Sequence, residues 1–221
     1  VACRRIHSTN RLPYKVIALD CDQTLWDGVC AEVGPRNVQI GPERQYLHQK
    51  MRELRDAGLL LCLCSKNRPD DVWAVFDEHP DMILQRADIL ADRINWQSKS
   101  ENLLSLAREL NLGLDSFIFI DDNPIECAEV RAACPEVLTL HLPAEQVSKF
   151  LDHTWAFDCQ TINDEDRQRA RRYAEEMQRQ QLRQSVLTLD DFLENLNLEV
   201  SITPLSDSDL ERVAQMTQRT N

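Results

Sequence analysis

The chain lacks several features that would each have pointed to a class of protein. No apolar run is long enough to span a bilayer, and no signal-peptide pattern opens the sequence, so a membrane-spanning or secreted protein is not expected. None of the eight cysteines (Cys3, Cys21, Cys30, Cys62, Cys64, Cys127, Cys134 and Cys159) stands in a CxxC pair, which argues against a zinc site. The five histidines are scattered and suggest no metal cluster. Positive charge is in deficit, with a formal net charge of −12, so no bulk attraction to nucleic acid or to an anionic membrane is expected. There is no internal repeat and no low-complexity tract. With no secretory signal, the expected compartment is a reducing cytosol, where the thiols stay free.

What remains is globular in composition: 221 residues, 43% hydrophobic and 28% charged, enough for one sizeable core plus an appendage. Residues 1–13 are basic and polar and read as a linker. The first strand is Val16-Ile17-Ala18-Leu19, a continuous apolar run ending on Asp20, as expected of a strand covered on both faces. Residues 25–42 are rich in glycine and proline and read as a loop or small flap. A helix follows over 43–57, with Gly58 as its stop. Further strands are expected at 59–64, 81–84, 117–120 and 137–142. Helices are expected after Pro69, over 100–110, and from Pro124 to about residue 133.

Alternating strands and helices predict an α/β, Rossmann-like fold: a parallel five-stranded sheet with helices on both faces, filling residues 14–150. Residues 151–221 are expected to form a mostly helical extension with an Arg-rich exposed helix over 164–183, cut from a longer protein.

In an open α/β sheet, the functional crevice lies outside the carboxyl ends of the strands. Three strands here end on polar residues at those points: Asp20, Ser65 and Asp121-Asp122. A lone aspartate there could simply cap a turn. Four carboxylates (Asp20, Asp22, Asp121 and Asp122) repel one another unless they share a cation, and an all-oxygen site of this kind suits Mg²⁺. Lys99 adds a fixed positive charge and Ser65 a hydroxyl. Together these groups would compensate the charge of a phosphoryl group.

The segment Asp20-Cys21-Asp22-Gln23-Thr24, then Ser65, Lys99 and Asp121-Asp122, in that order, resemble the four motifs of the haloacid-dehalogenase (HAD) superfamily. The longer runs from Leu19 to Val29, Cys64-Ser65-Lys66-Asn67, Asn95 to Lys99 and Phe119 to Pro124 resemble its FkbH-like branch. Gln23 stands where that branch more often has Asn.

The resemblance implies a minimal cap and a metal site in which Asp20 and Asp122 bind through side chains and Asp22 through its backbone carbonyl. Asp121 would act through water or orient Asp122. Ser65, Lys66, Asn67 and Lys99 would hold phosphate. It further implies transfer of a D-glyceryl group from 1,3-bisphosphoglycerate, with release of phosphate, through an enzyme cysteine thioester to an acyl carrier protein. The setting would be polyketide biosynthesis, with the chain free-standing or one domain of a modular synthase. Cys21, between the two motif carboxylates, is the first candidate for the acyl-accepting thiol. Cys64 and Cys30 are the alternatives. The competing expectation is a Mg²⁺-dependent HAD phosphatase, with Asp20 attacking phosphorus and Asp22 as general acid/base.

Overall fold

The computed structural model describes residues 14–158. The expectations for residues 1–13 and beyond 158, including the Arg-rich helix, lie outside the described residues.

A five-stranded parallel sheet forms the centre, in the order β3-β2-β1-β4-β5. Its strands are β1 (Val16–Leu19), β2 (Leu60–Ser65), β3 (Ile89–Ile94), β4 (Phe117–Asp121) and β5 (Leu138–His141). The helices are α1 (Cys30–Val33), α2 (Pro42–Asp56), α3 (Pro69–Glu78), α4 (Lys99–Glu109), α5 (Pro124–Ala133) and α6 (Val147–His153). β1 is wholly buried and alternates between two cores. Ile17 and Leu19 face Leu47, Met51, Val72, Phe76 and Leu151 of α2, α3 and α6. Val16 and Ala18 face Leu103, Leu106 and Val130 of α4 and α5. This burial on both sides explains why β1, β2 and β4 are unbroken apolar runs.

One of the expected strands moved. Residues 81–84 form no strand; the third strand lies at 89–94 instead. β3 is at the sheet edge and only partly buried, so it carries Asp92 and Arg93 and lacks the continuous apolar signal of the inner strands. Leu84 is buried without sheet pairing. At the other end, α6 runs across position 150, and Leu151 and Phe157 join the core. Glu43 of α2 accepts hydrogen bonds from the Ser148 N–H and hydroxyl, and the Tyr46 hydroxyl donates to Asp152, tying α6 to α2.

Helix ends follow their local chemistry. α2 stops at Gly58, whose φ of +103° is costly for other residues, and the Leu59 N–H returns to the Leu54 carbonyl at 3.0 Å. The Ser98 hydroxyl caps α4 by accepting from the Glu101 N–H. The Asn123 side chain caps α5 by accepting from the Ile125 N–H, with Pro124 in the first turn. The last two caps adjoin the strand-end cluster: Ser98 precedes Lys99, and Asn123 follows Asp122.

Candidate active site

Sheet register brings the chemistry together. Leu19 pairs with Leu63 on one side and with Ile120 on the other. The next residues along, Asp20, Cys64 and Asp121, therefore lie level at the carboxyl edge of the sheet, with Ser65 one step further. The Asp20 N–H completes the alignment by donating to the Ile120 carbonyl at 3.0 Å.

Asp20, Asp121 and Asp122 form a cluster in which one carboxylate oxygen from each lies within 4.8 Å of the others. Lys99, at the start of α4, reaches into it. Its ammonium group donates to Asp20 Oδ1 and to the Cys64 carbonyl at 2.6 Å, and lies 3.2 Å from Asp121 Oδ2. Burial alone would lower the Lys99 pKa, but the negative charge of Asp20, with Asp121 and others, outweighs it and holds the ammonium above its usual value. Asp121 is pushed up to about 6, first by burial and then by the charge of Asp20, although Lys99 opposes this. Asp122 is raised as well, by burial and then by Asp20.

Asp121 Oδ2 accepts no hydrogen bond, although it is buried. Three carboxylates thus face one buried ammonium. The cluster lacks positive charge and offers only hard oxygen donors, which fits a small divalent cation.

Asp22 faces elsewhere. Its Oδ1 accepts from the Trp26 indole N–H at 2.7 Å and from the Cys30 backbone N–H at 3.0 Å. Its Oδ2 accepts from the Asn67 amide at 2.7 Å. Its carboxylate is therefore not among the clustered oxygens, and instead joins the flap to the loop after β2. Trp26, expected from the sequence to pack the flap on the core rather than to wall the pocket, is fully buried and packs edge-on against Phe76 while anchoring Asp22.

Of the expected phosphate-binding residues, Ser65 sits buried at the end of β2. Asn67 spends its amide on Asp22, and Lys66 pairs with Glu126 at 2.8 Å.

The six cysteines among the described residues are free and buried. Cys21 follows the strand alternation: its side chain joins the layer of Ile17 and Leu19, and none of it is exposed. Burial, then the charge of Asp20, pushes its thiol well above the ordinary value, with Ser65 and Lys99 opposing. This placement counts against Cys21 as an acyl-accepting thiol, because the thiolate is the nucleophile. Cys64 lies in the opposite core and is pushed up to about 12 by burial. Cys30 is also pushed up to about 12, by burial and then by Asp22, but its sulfur lies 3.4 Å from the Asn67 amide and beside Asp22.

Several contributors escaped the sequence reading. The buried Thr24 hydroxyl lies 3.3 Å from Asp122 Oδ1 and accepts from the Asp122 N–H at 3.2 Å. His141 Nε2 lies 2.8 Å from the Asp122 carbonyl. A strand-end position would have pointed to His141, which closes β5 at the same edge as the carboxylates. No local pattern marks Glu126.

Neither a family model nor a curated protein matches the chain. Among solved structures, the chain is similar to the N-terminal part of the protein BF1531 from Bacteroides fragilis, which contains a phosphatase domain and is complexed with Mg. Identity is 30% and the TM-score 0.67, over 73% of this chain and 45% of that one. The chain thus spans less than half the length of that structure. The HAD domain of the effector Lem4 from Legionella pneumophila (9% identity, TM-score 0.46, 66% of this chain and 96% of that one) is more distant. So is a HAD-family enzyme from Bacteroides thetaiotaomicron (15%, 0.43, 64% and 99%). The sheet order and the carboxylate edge define an α/β domain of the Rossmann-like class. Within that class, the fold is similar to that of the Mg-complexed structure from Bacteroides fragilis.

Proposed function

We propose that this domain is a Mg²⁺-dependent phosphohydrolase acting on a small phosphorylated metabolite. The observation that carries the reading is the clustering of Asp20, Asp121 and Asp122 around the buried Lys99 at the carboxyl edge of the sheet. The similar Mg-complexed phosphatase domain supports it. Asp20, Asp122 and Asp121 would hold Mg²⁺, with the Asp22 backbone carbonyl. Bound there, the ion supplies positive charge for the phosphoryl oxygens.

The residues of the chain supply the rest. Asp20 attacks phosphorus, the bond from phosphorus to the leaving oxygen breaks, and an aspartyl phosphate forms. Lys99 holds Asp20 in place and offsets the charge that builds up. The Ser65 hydroxyl contributes a donor to the phosphoryl group. Asp22, held as an acceptor by Trp26, Cys30 and Asn67, is suited to take a proton from the water that hydrolyses the intermediate.

The test is phosphate release from a panel of small phosphate esters and acyl phosphates, with Mg²⁺ and with chelator. Wild-type protein should release phosphate only with the metal. Asp20→Asn should lose roughly a thousandfold or more, as expected for a nucleophile. A fully active Asp20→Asn protein refutes the assignment.

A second reading is favoured by the Cys30 sulfur beside Asp22 and Asn67, together with the FkbH-like motif runs. In it, Cys30 gives its thiol proton to Asp22 as its sulfur attacks the acyl carbon of 1,3-bisphosphoglycerate, and the acyl C–O bond breaks with phosphate leaving. The D-glyceryl thioester then passes to an acyl carrier protein of polyketide assembly. Intact-mass analysis with in situ generated donor and carrier distinguishes the two. A glyceryl adduct lost in Cys30→Ala supports transfer. Phosphate release without an adduct in any cysteine variant leaves hydrolysis alone.

A further inference from the structure

Lys66 and Glu126 meet at a telling place. Lys66 directly follows β2, and Glu126 lies in the first turn of α5, just after β4. In the sheet, β1 lies between β2 and β4. An ion pair between the two loops must therefore span the carboxyl end of β1, where Asp20 stands. The contact is 2.8 Å long, and the Glu126 side chain is only 16% exposed. Its second oxygen, Oε2, is buried and accepts no hydrogen bond. A solvated surface pair would leave no such orphan.

Among the described residues, three cations near this edge are paired with carboxylates. Lys99 is held by Asp20 and Asp121, Arg68 lies 3.9 Å from Asp71, and Lys66 is held by Glu126. A phosphate arriving here meets no uncommitted ammonium or guanidinium group among these three.

We propose that Glu126 is a specificity-determining residue that restrains the positive charge of Lys66 and thereby sets how weakly the site holds phosphate dianion. This rests on the phosphohydrolase reading. A hydrolase with an unpaired Lys66 beside the buried Lys99 would hold its inorganic phosphate product more tightly. Pairing one of them with Glu126 lowers that affinity and lets the product leave. Lys66 is thus a cation at the phosphate edge, as its position after Ser65 suggests, but one whose charge is offset by Glu126.

The experiment is titration calorimetry of inorganic phosphate into the Mg²⁺-loaded protein, for wild type, Glu126→Gln, Lys66→Met and the double variant. Glu126→Gln should bind phosphate about three- to fivefold tighter, the range expected for releasing one partly exposed charge. The gain should vanish in the double variant and fade at about 1 M salt. Glu126→Ala carries the same expectation should the Gln variant fold poorly. Unchanged or weaker binding in both Glu126 variants, or a gain that survives Lys66→Met, overturns the inference. If that happens while Mg²⁺-dependent turnover persists, the phosphohydrolase reading stands. If neither wild type nor Glu126→Gln binds phosphate and no substrate is turned over, both fall.

Discussion

Lys99→Met is the most informative single change. The side chain is 2% exposed, and its ammonium donates to Asp20 and the Cys64 carbonyl and forms an ion pair with Asp121. Methionine fills similar volume, so the loss is electrostatic rather than a cavity. One buried carboxylate and one carbonyl lose their donor, and Asp121 loses its paired cation. Removing one partner of a buried ion pair costs about 3–5 kcal/mol, because the remaining charge stays desolvated. Against a typical domain stability of about 5–15 kcal/mol, that is a large share. Urea unfolding at pH 7 with chelator, followed by tryptophan fluorescence, measures it. Adding Asp121→Asn to Lys99→Met should recover part of the loss, since one uncompensated charge is removed. Mg²⁺ should stabilise Lys99→Met more than it stabilises wild type. A loss below about 1 kcal/mol, as for an exposed pair, refutes the picture of a buried, charge-starved cluster. So does a double variant that is strictly additive to within about 0.5 kcal/mol.

Thr24→Val should leave Asp122 without its hydroxyl partner, costing about 1–3 kcal/mol in stability. Its Mg²⁺ affinity should fall roughly 10–100-fold by calorimetry, as for other groups that orient ligands, and wild-type affinity would exclude a positioning role for Thr24. Stability should also fall as pH drops from 6.5 to 4 on account of His48. Burial lowers its pKa to about 4 from 6.5, with its Nε2 on the Leu25 carbonyl and its Nδ1 buried without a partner. The folded state keeps His48 neutral where the unfolded chain takes a proton. The contribution is whole above pH 6.5 and is lost progressively down to pH 4, totalling about 3 kcal/mol. Asp121, with its raised pKa, works in the opposite sense over part of that window. The readout is therefore the difference from His48→Gln, and a pH-independent difference would remove His48 from the account.

Inner elements were legible in the amino-acid order because burial on both faces demands unbroken apolar runs, as in Val16–Leu19 and Phe117–Ile120. The edge strand β3 was not, because an edge tolerates Asp92 and Arg93. Asp20, Asp121 and Asp122 were legible as a group because each lies at the end of such a run. Cys21 was the first candidate thiol because it stands between Asp20 and Asp22. The pleat of β1 turns it into the core, however, and only three-dimensional packing reveals that burial.

By itself, then, the sequence determined the parallel sheet, the edge at which its polar residues gather, and the surplus of carboxylate there. Those follow from local hydrophobicity and from where each run stops. Tertiary structure decided which groups are partnered. It brought Lys99 to Asp20 across 79 positions, Thr24 to Asp122 across 98, and Glu126 to Lys66 across 60. Such pairings depend on strand order and register, which bring residues distant in the chain within hydrogen-bonding reach and which no local pattern encodes.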